Sequence, residues 1–217
     1  MREVTVWDPW VRLVHWGIVI LLAASWITAR LHWMDWHFRA GYAALTLLLF
    51  RLAWGIVGSD TARFARFLKS PLAALRHLSH LARREPDAEV GHNAAGGWMV
   101  LVLLGLLLAQ AVTGLFTYDQ IFTYGPLARQ VSEEWRDALS SWHVFNIDLL
   151  LVAAALHVLA VALYRVAKGH RLTRAMVTGR KALPAGVPAP RMGSPLLALA
   201  LLGASAALVA CVAALGD

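Results

Sequence analysis

The clearest indication of the fold class is Trp142–Tyr164, WHVFNIDLLLVAAALHVLAVALY, which is long and mostly apolar and carries a histidine near each end. A helix needs about 20 mostly apolar residues to cross the hydrocarbon core of a membrane. His143 and His157 are separated by about 21 Å along such a helix and leave the same face of it. Ionisable groups within spanning helices are rare and usually face a functional interior. The stretch therefore predicts a transmembrane helix with functional histidines at two depths.

Four further apolar segments of similar length predict four more spanning helices, at about residues 10–29, 37–57, 96–116 and 195–215. The composition agrees, with 59% hydrophobic and only 15% charged residues. Soluble domains carry about 25% charged residues. We therefore predict an all-α integral membrane protein. In the fifth segment, Gly203, Ala207 and Cys211 form a stripe of small residues, which is typical of a packing element or a partner contact.

The charges of the connecting segments predict the orientation. Basic residues concentrate between the second and third spans and after the fourth span, whereas acidic residues concentrate between the third and fourth spans, at Asp119, Glu133, Glu134 and Asp137. By the positive-inside rule, the N-terminus lies in the cytoplasm and the C-terminus outside. The net charge of +7 thus reflects topology and contact with membrane lipid, and not nucleic-acid binding. The stretch 60–85 reads as an amphipathic surface helix broken near Pro71.

This orientation brings histidines to matching depths. His37 opens the second span on the outer side, level with His143, and we call these two the outer pair. His15 lies near the inner end of the first span, level with His157, and these two form the inner pair. Each pair could clamp one haem iron from opposite sides, which makes an electron-transfer centre. The chain has no Cys-x-x-Cys-His motif, so a covalently attached c-type haem is excluded.

Other residues in the spans are weaker candidates. Gly41 and Gly105 could let a flat macrocycle approach the backbone, or could serve ordinary helix packing. Arg51 could bind a haem propionate, or could extend its side chain to the cytoplasmic face. Three polar residues could line a quinone pocket or form hydrogen bonds between helices: Gln110, Asn146 and Asp148. The remaining histidines are expected to be solvated or interfacial: His32, His77, His80, His92 and His170.

Several short motifs together carry a family resemblance. They are Val11–Trp16, His37 with Gly41–Tyr42 and Phe50–Leu52, Gly91–Asn93 with Gly96–Gly97, and Ser141–His143 with Leu156–His157. With these motifs the chain resembles the bacterial cytochrome b561 family, which includes the cytochrome b subunits of nickel-iron hydrogenases. The resemblance covers about residues 5–170, and it predicts a dihaem transmembrane domain at 1–170. A basic, Pro/Ala/Gly-rich cytoplasmic linker at 171–194 and an additional transmembrane helix at 195–217 follow.

The resemblance implies a four-helix transmembrane bundle holding two b-type haems, in the inner membrane of a bacterium. The iron of the inner haem would be bound by His15 and His157, and that of the outer haem by His37 and His143. Such a protein links the quinone pool to a periplasmic redox partner, such as a c-type cytochrome or another redox subunit. Two alternatives stay open: a haem-bearing membrane anchor of a hydrogenase- or dehydrogenase-like complex, and a superoxide:quinone oxidoreductase. The sequence leaves open whether the chain is itself an enzyme and whether it forms an oligomer.

A third hypothesis is a haem-free transporter, whose histidines would relay protons or bind a metal ion. It is disfavoured because few acidic residues lie within the spans, Asp148 being the main exception.

Overall fold

The computed structural model describes residues 1–79, 87–119 and 123–216. Along the chain the elements are β1 (Arg2–Thr5), α1 (Pro9–Arg30), α2 (Met34–Val57), α3 (Phe64–Phe67), α4 (Pro71–Ser79), α5 (Ala94–Gly114), α6 (Glu133–Leu163), α7 (Leu172–Thr178), β2 (Arg180–Leu183) and α8 (Pro195–Ala213). Among the described residues, five helices are long and apolar enough to cross a membrane: α1, α2, α5, α6 with its continuation to Lys168, and α8. The prediction of an all-α integral membrane protein is confirmed.

The start of α6 differs most from the sequence expectation, because this helix begins at Glu133 and not at Trp142. Ser132 precedes it, and its Oγ accepts a hydrogen bond from the backbone N–H of Trp135 at 3.4 Å. Glu133 and Glu134 occupy the first turn, where negative charge interacts favourably with the helix dipole. These polar residues extend the helix beyond its apolar part, which an apolar-length criterion does not detect.

The chain divides into two compact units. The first unit contains Met1–Leu13, Leu52–Leu103 and Ala153–Ala198, and the second contains Val14–Arg51, Leu104–Val152 and Leu199–Asp217. Within the second unit, three buried residues form one apolar core: Leu45 of α2, Leu115 directly after α5, and Val209 of α8. Val209 makes α8 part of this core, whereas its small-residue stripe (Gly203, Ala207 and Cys211) is exposed.

In the first unit, the carboxylate of Asp8 organises the start of α1. Asp8 is buried, and its Oδ1 accepts the backbone N–H of Val11 at 2.7 Å. Its Oδ2 accepts the indole N–H of Trp54 at 3.0 Å, and the Trp54 side chain is fully buried. Pro9 follows at the first helical position, where its missing N–H costs nothing. One side chain thus caps α1 and fixes it to α2.

The expected linker 171–194 is corrected for its first half, because it contains both α7 and β2. Strand β2 pairs antiparallel with β1, from Arg2 opposite Leu183 to Thr5 opposite Arg180. Gly179 turns the chain between α7 and β2 with a φ of 78°. Its carbonyl accepts the N–H groups of Val6 and Trp7 at 2.8 and 3.1 Å. The pairing satisfies backbone groups that a linker would leave to water.

The amphipathic segment is broken near Pro71 as predicted, since α4 begins at that residue after the short α3. On α4, Leu72, Leu75 and Leu78 are exposed while Ala74 is buried. An exposed apolar stripe of this kind is typical of a helix that rests on a membrane surface. The rest of this predicted segment, including His80 and Glu85, lies outside the described residues.

Candidate cofactor site

The outer pair meets inside the second unit. His37 lies in the first turns of α2, and His143 lies in the N-terminal part of α6. Their ring centres are 6.3 Å apart and their ring planes are nearly perpendicular, at 86°. Both residues are partly buried. The structure therefore brings together the two histidines that sequence and topology matched in depth.

A backbone carbonyl on α1 orients His37. Its Nδ1 lies 2.8 Å from the carbonyl oxygen of Ser25 and 3.2 Å from the Ser25 hydroxyl. A carbonyl oxygen only accepts, so Nδ1 is the protonated nitrogen that donates to it. The other ring nitrogen, Nε2, then keeps its lone pair and can bind a metal ion.

His143 has the same arrangement with α5. Its Nδ1 lies 2.9 Å from the carbonyl oxygen of Gln110, to which it donates. The Thr113 hydroxyl is 3.2 Å from the same nitrogen, and it donates to the carbonyl of Ala109 at 2.7 Å. The Gln110 amide donates to Nε2 of His143 at 3.1 Å, which marks Nε2 as the nitrogen that holds a lone pair. A metal ion bound at Nε2 would replace this hydrogen bond.

The spacing of the outer pair fits one shared metal ion. Two imidazoles that bind opposite sides of one ion through bonds of about 2 Å have ring centres about 6 Å apart. Within the described residues, no three or more His, Cys, Asp or Glu side chains form a group that could hold a metal ion. A haem iron needs only two axial side chains from the protein. The donor set therefore fits a bis-histidine haem.

Glycines lie next to this pair. A Cβ on Gly114 would come within 2.9 Å of Cε1 of His143, so the absent side chain makes room for that ring. Gly41 lies one turn after His37, and a Cβ there would meet no atom within 4 Å. Gly105 has the same open surroundings but is exposed, which fits a lipid-facing position equally well.

Hydrogen bonds between α5 and α6 involve two of the three polar residues considered for a quinone pocket. The Asn146 amide donates to the carbonyl of Leu106 at 3.0 Å and to Oε1 of Gln110 at 2.7 Å. The prediction that Gln110 and Asn146 link helices is confirmed, whereas Asp148 is exposed on α6.

Comparison with known proteins adds an independent observation. The sequence model described as prokaryotic cytochrome b561 matches residues 6–179, which is most of the chain. The chain belongs to the prokaryotic cytochrome b561 family. It is therefore a membrane cytochrome that binds b-type haem and transfers electrons across the membrane. No curated protein sequence and no solved structure matches it.

Within this cytochrome b561, the inner pair stays a prediction from sequence. His15 lies on α1 in the second unit, and His157 lies on α6 in the first unit. Each side chain is partly buried. Arg51 is buried in α2, with only 5% of its surface exposed, so extension of its side chain into water is disfavoured. Its role towards a haem propionate also stays a prediction.

Two of the histidines expected to be solvated or interfacial, His77 and His92, are partly buried. His92 lies between the rings of Trp7 and Phe67, with both centroid distances 4.7 Å. The Nε2 of His77 is 2.6 Å from the hydroxyl of Tyr164, which is buried. Aromatic packing and a hydrogen bond within the first unit thus hold these two side chains.

Sequence reasoning missed the groups that orient the outer pair. Ser25 and Thr113 carry no signal in the sequence, and Gln110 is a candidate only for a quinone pocket or for helix packing. For Ser25 and Gln110 the functional atom is a backbone carbonyl, which every residue type possesses. Only the packing of α1 against α2, and of α5 against α6, within the second unit identifies which carbonyl is used.

Proposed function

We propose that this cytochrome carries electrons through two b-type haems, one bound by the outer pair and one by the inner pair. The observation that carries the proposal is the outer pair, with its ring centres 6.3 Å apart and each Nδ1 directed to a backbone carbonyl. The recurrence of histidines at the inner level, His15 and His157, supports a second site of the same kind.

In this function the haem iron supplies a one-electron redox couple, and the protein sets its surroundings. The carbonyls of Ser25 and Gln110 hold the imidazoles in one tautomer and raise their basicity as ligands. If both histidines of a pair held the iron, they would leave no open coordination position for oxygen, which would favour electron transfer over oxygen activation. Arg51, buried in α2, would bind a propionate as its counter-ion.

We further propose that electrons pass between the quinone pool and a periplasmic redox protein. The support is the charge on the first turns of α6, where Glu133, Glu134 and Asp137 are exposed. An acidic surface steers a basic partner, such as a c-type cytochrome, to its docking position. The distribution of basic residues supports an inner-membrane orientation with this surface outside.

A second candidate is a haem-bearing anchor of a hydrogenase- or dehydrogenase-like complex. Helix α8 favours it, because α8 lies beyond the family match at 6–179 and exposes Gly203, Ala207 and Cys211. This candidate predicts that catalytic subunits co-purify with the chain. It also predicts that they are lost when these three residues are replaced by leucine. A self-contained superoxide:quinone oxidoreductase would instead reduce quinone with superoxide as the purified single chain.

Haem stoichiometry tests the proposed function. The purified chain is expected to contain two haems with low-spin b-type spectra. Substitution of alanine for His15, His37, His143 or His157 should each remove one haem, since an unligated site retains haem poorly. His32→Ala is the matched control, because His32 lies in the turn beside His37 and should keep both haems. A wild-type chain with one haem or none would overturn the two-haem proposal.

A further inference from the structure

A cavity in the first unit lies where α6 ends. Its volume is about 330 Å³, and its wall combines Val161 of α6 with side chains from the stretch that follows, notably Arg165, Arg171 and Arg174. A π-helical turn, Tyr164–Lys168, continues α6, and Gly169 ends it with a φ of 74°. This left-handed residue reverses the chain, so that the stretch with Arg171 and Arg174 faces Val161.

The charge of the cavity is positive. Three guanidinium groups line it, and Glu3 offsets one of them through a contact of 3.2 Å with Arg174. His170 also lines the cavity, and its Nδ1 lies 3.7 Å from the Asp87 carboxylate. Asp87 itself pairs with Lys181 at 2.6 Å. Within the described residues 1–79, 87–119 and 123–216, Arg165 and Arg171 therefore have no carboxylate contact of this kind, and both are exposed. The cavity suits an anion with several oxygen acceptors.

The position of the cavity indicates where that anion comes from. Arg165 follows directly on the apolar part of α6, so the cavity lies at the level where the spanning helix leaves the hydrocarbon core. On the same helix end, Leu159, Leu163 and Val166 are exposed. A lipid whose phosphate reached Arg165 could lay its acyl chains along these apolar side chains. A soluble anion would make no use of them.

We propose that this cavity binds the phosphate of an anionic phospholipid, with Arg165 and Arg171 as its main contacts. The two guanidinium groups donate charge-assisted hydrogen bonds to the phosphate oxygens, and Thr173 at the cavity wall offers a hydroxyl. Basic clusters at the cytoplasmic end of spanning helices recognise lipid headgroups in this way. The bound lipid would fix the end of α6, the helix that carries His157, against the following stretch.

Lipid binding to the purified holoprotein tests the proposal. Detergent-solubilised protein is titrated with phosphatidylglycerol, and binding is followed by native mass spectrometry. The Arg165→Gln/Arg171→Gln variant should bind about thirtyfold more weakly, the effect expected for two basic side chains at an anionic surface. Arg76→Gln, which removes an exposed charge from α4, is the control and should bind like the wild type. Far-UV circular dichroism and haem content verify that each variant is folded.

Two further measurements distinguish a lipid phosphate from a soluble phosphate ion. Phosphatidylcholine should bind much more weakly than phosphatidylglycerol, and millimolar inorganic phosphate should not displace the lipid. Equal weakening by Arg76→Gln would mean general surface attraction and would overturn the proposal. Displacement by inorganic phosphate would overturn it as well, since the cavity would then be a site for soluble anions.

Discussion

At the residue scale, His37 and His143 each donate from Nδ1 to a carbonyl oxygen, of Ser25 at 2.8 Å and of Gln110 at 2.9 Å. Because these acceptors belong to helix backbones, they survive most side-chain substitutions. The rings nevertheless depend on the space around them, and Gly114 provides that space for His143. The residue-level requirement is thus a fixed tautomer together with room for the ring.

Gly114→Ala tests this requirement. The new Cβ would lie 2.9 Å from Cε1 of His143, so the ring must move, and such overpacking costs about 1–3 kcal/mol. We expect lower occupancy of one haem and faster haem loss to an apoprotein acceptor. Gly203→Ala is the control, since a Cβ there meets no atom within 4 Å. Identical haem retention in both variants would show that His143 does not need this space.

At the element scale, the start of α1 depends on Asp8, which caps the helix and accepts the indole N–H of the buried Trp54. Loss of a cap costs about 1 kcal/mol, and an unsatisfied buried donor costs about 1–3 kcal/mol. This one carboxylate therefore stabilises the junction of α1 and α2 more than a surface cap would.

Asp8→Ala should lower the unfolding free energy by about 2–4 kcal/mol, because it removes both the cap and the indole acceptor. Asp8→Asn should lower the unfolding free energy by less, since the amide oxygen of asparagine can still accept one hydrogen bond. Asp35→Ala serves as the control, because Asp35 is an exposed residue in the first turn of α2. Thermal unfolding in detergent ranks the stabilities of the three variants. If Asp35→Ala destabilised the protein as much as Asp8→Ala, the role of Asp8 as cap and indole acceptor would be contradicted.

The elements also show how far the sequence could predict the structure. Spanning helices follow from apolar length alone, so α1, α2, α5 and α8 begin and end within a few residues of the predicted limits. The pairing of β1 with β2 is not predictable from the sequence. It joins two four-residue strands about 180 residues apart, and neither has a distinctive pattern of alternating polar and apolar residues. The depth match of His37 with His143 was predictable from topology, whereas the carbonyls of Ser25 and Gln110 were not.

At the scale of the whole molecule, the described residues contain five helices that are long and apolar enough to cross a membrane. If all five cross it, the first and the last described residues lie on opposite sides. From the distribution of basic residues we propose that the N-terminus lies in the cytoplasm. The acidic first turns of α6 would then face the periplasm. The cavity with Arg165 and Arg171 would face the cytoplasm, where anionic headgroups and basic side chains meet.

Reporter fusions test this orientation. Alkaline phosphatase, which is active only outside the cytoplasm, should be active when fused at the C-terminus and inactive when fused after Lys168. A green fluorescent protein fused at the same two positions should give the opposite result. Phosphatase activity at both positions would mean that α8 does not cross the membrane.

The proposed function depends above all on His37 and His143 binding one haem iron together. Electron paramagnetic resonance of the oxidised protein tests it most directly, because axial imidazole planes close to perpendicular, 86° here, give a highly anisotropic low-spin ferric signal. We predict that such a signal is present in the wild type and in His32→Ala, and that the same signal is lost in both His37→Ala and His143→Ala. Loss of different signals in these two variants, or of none, would contradict the claim.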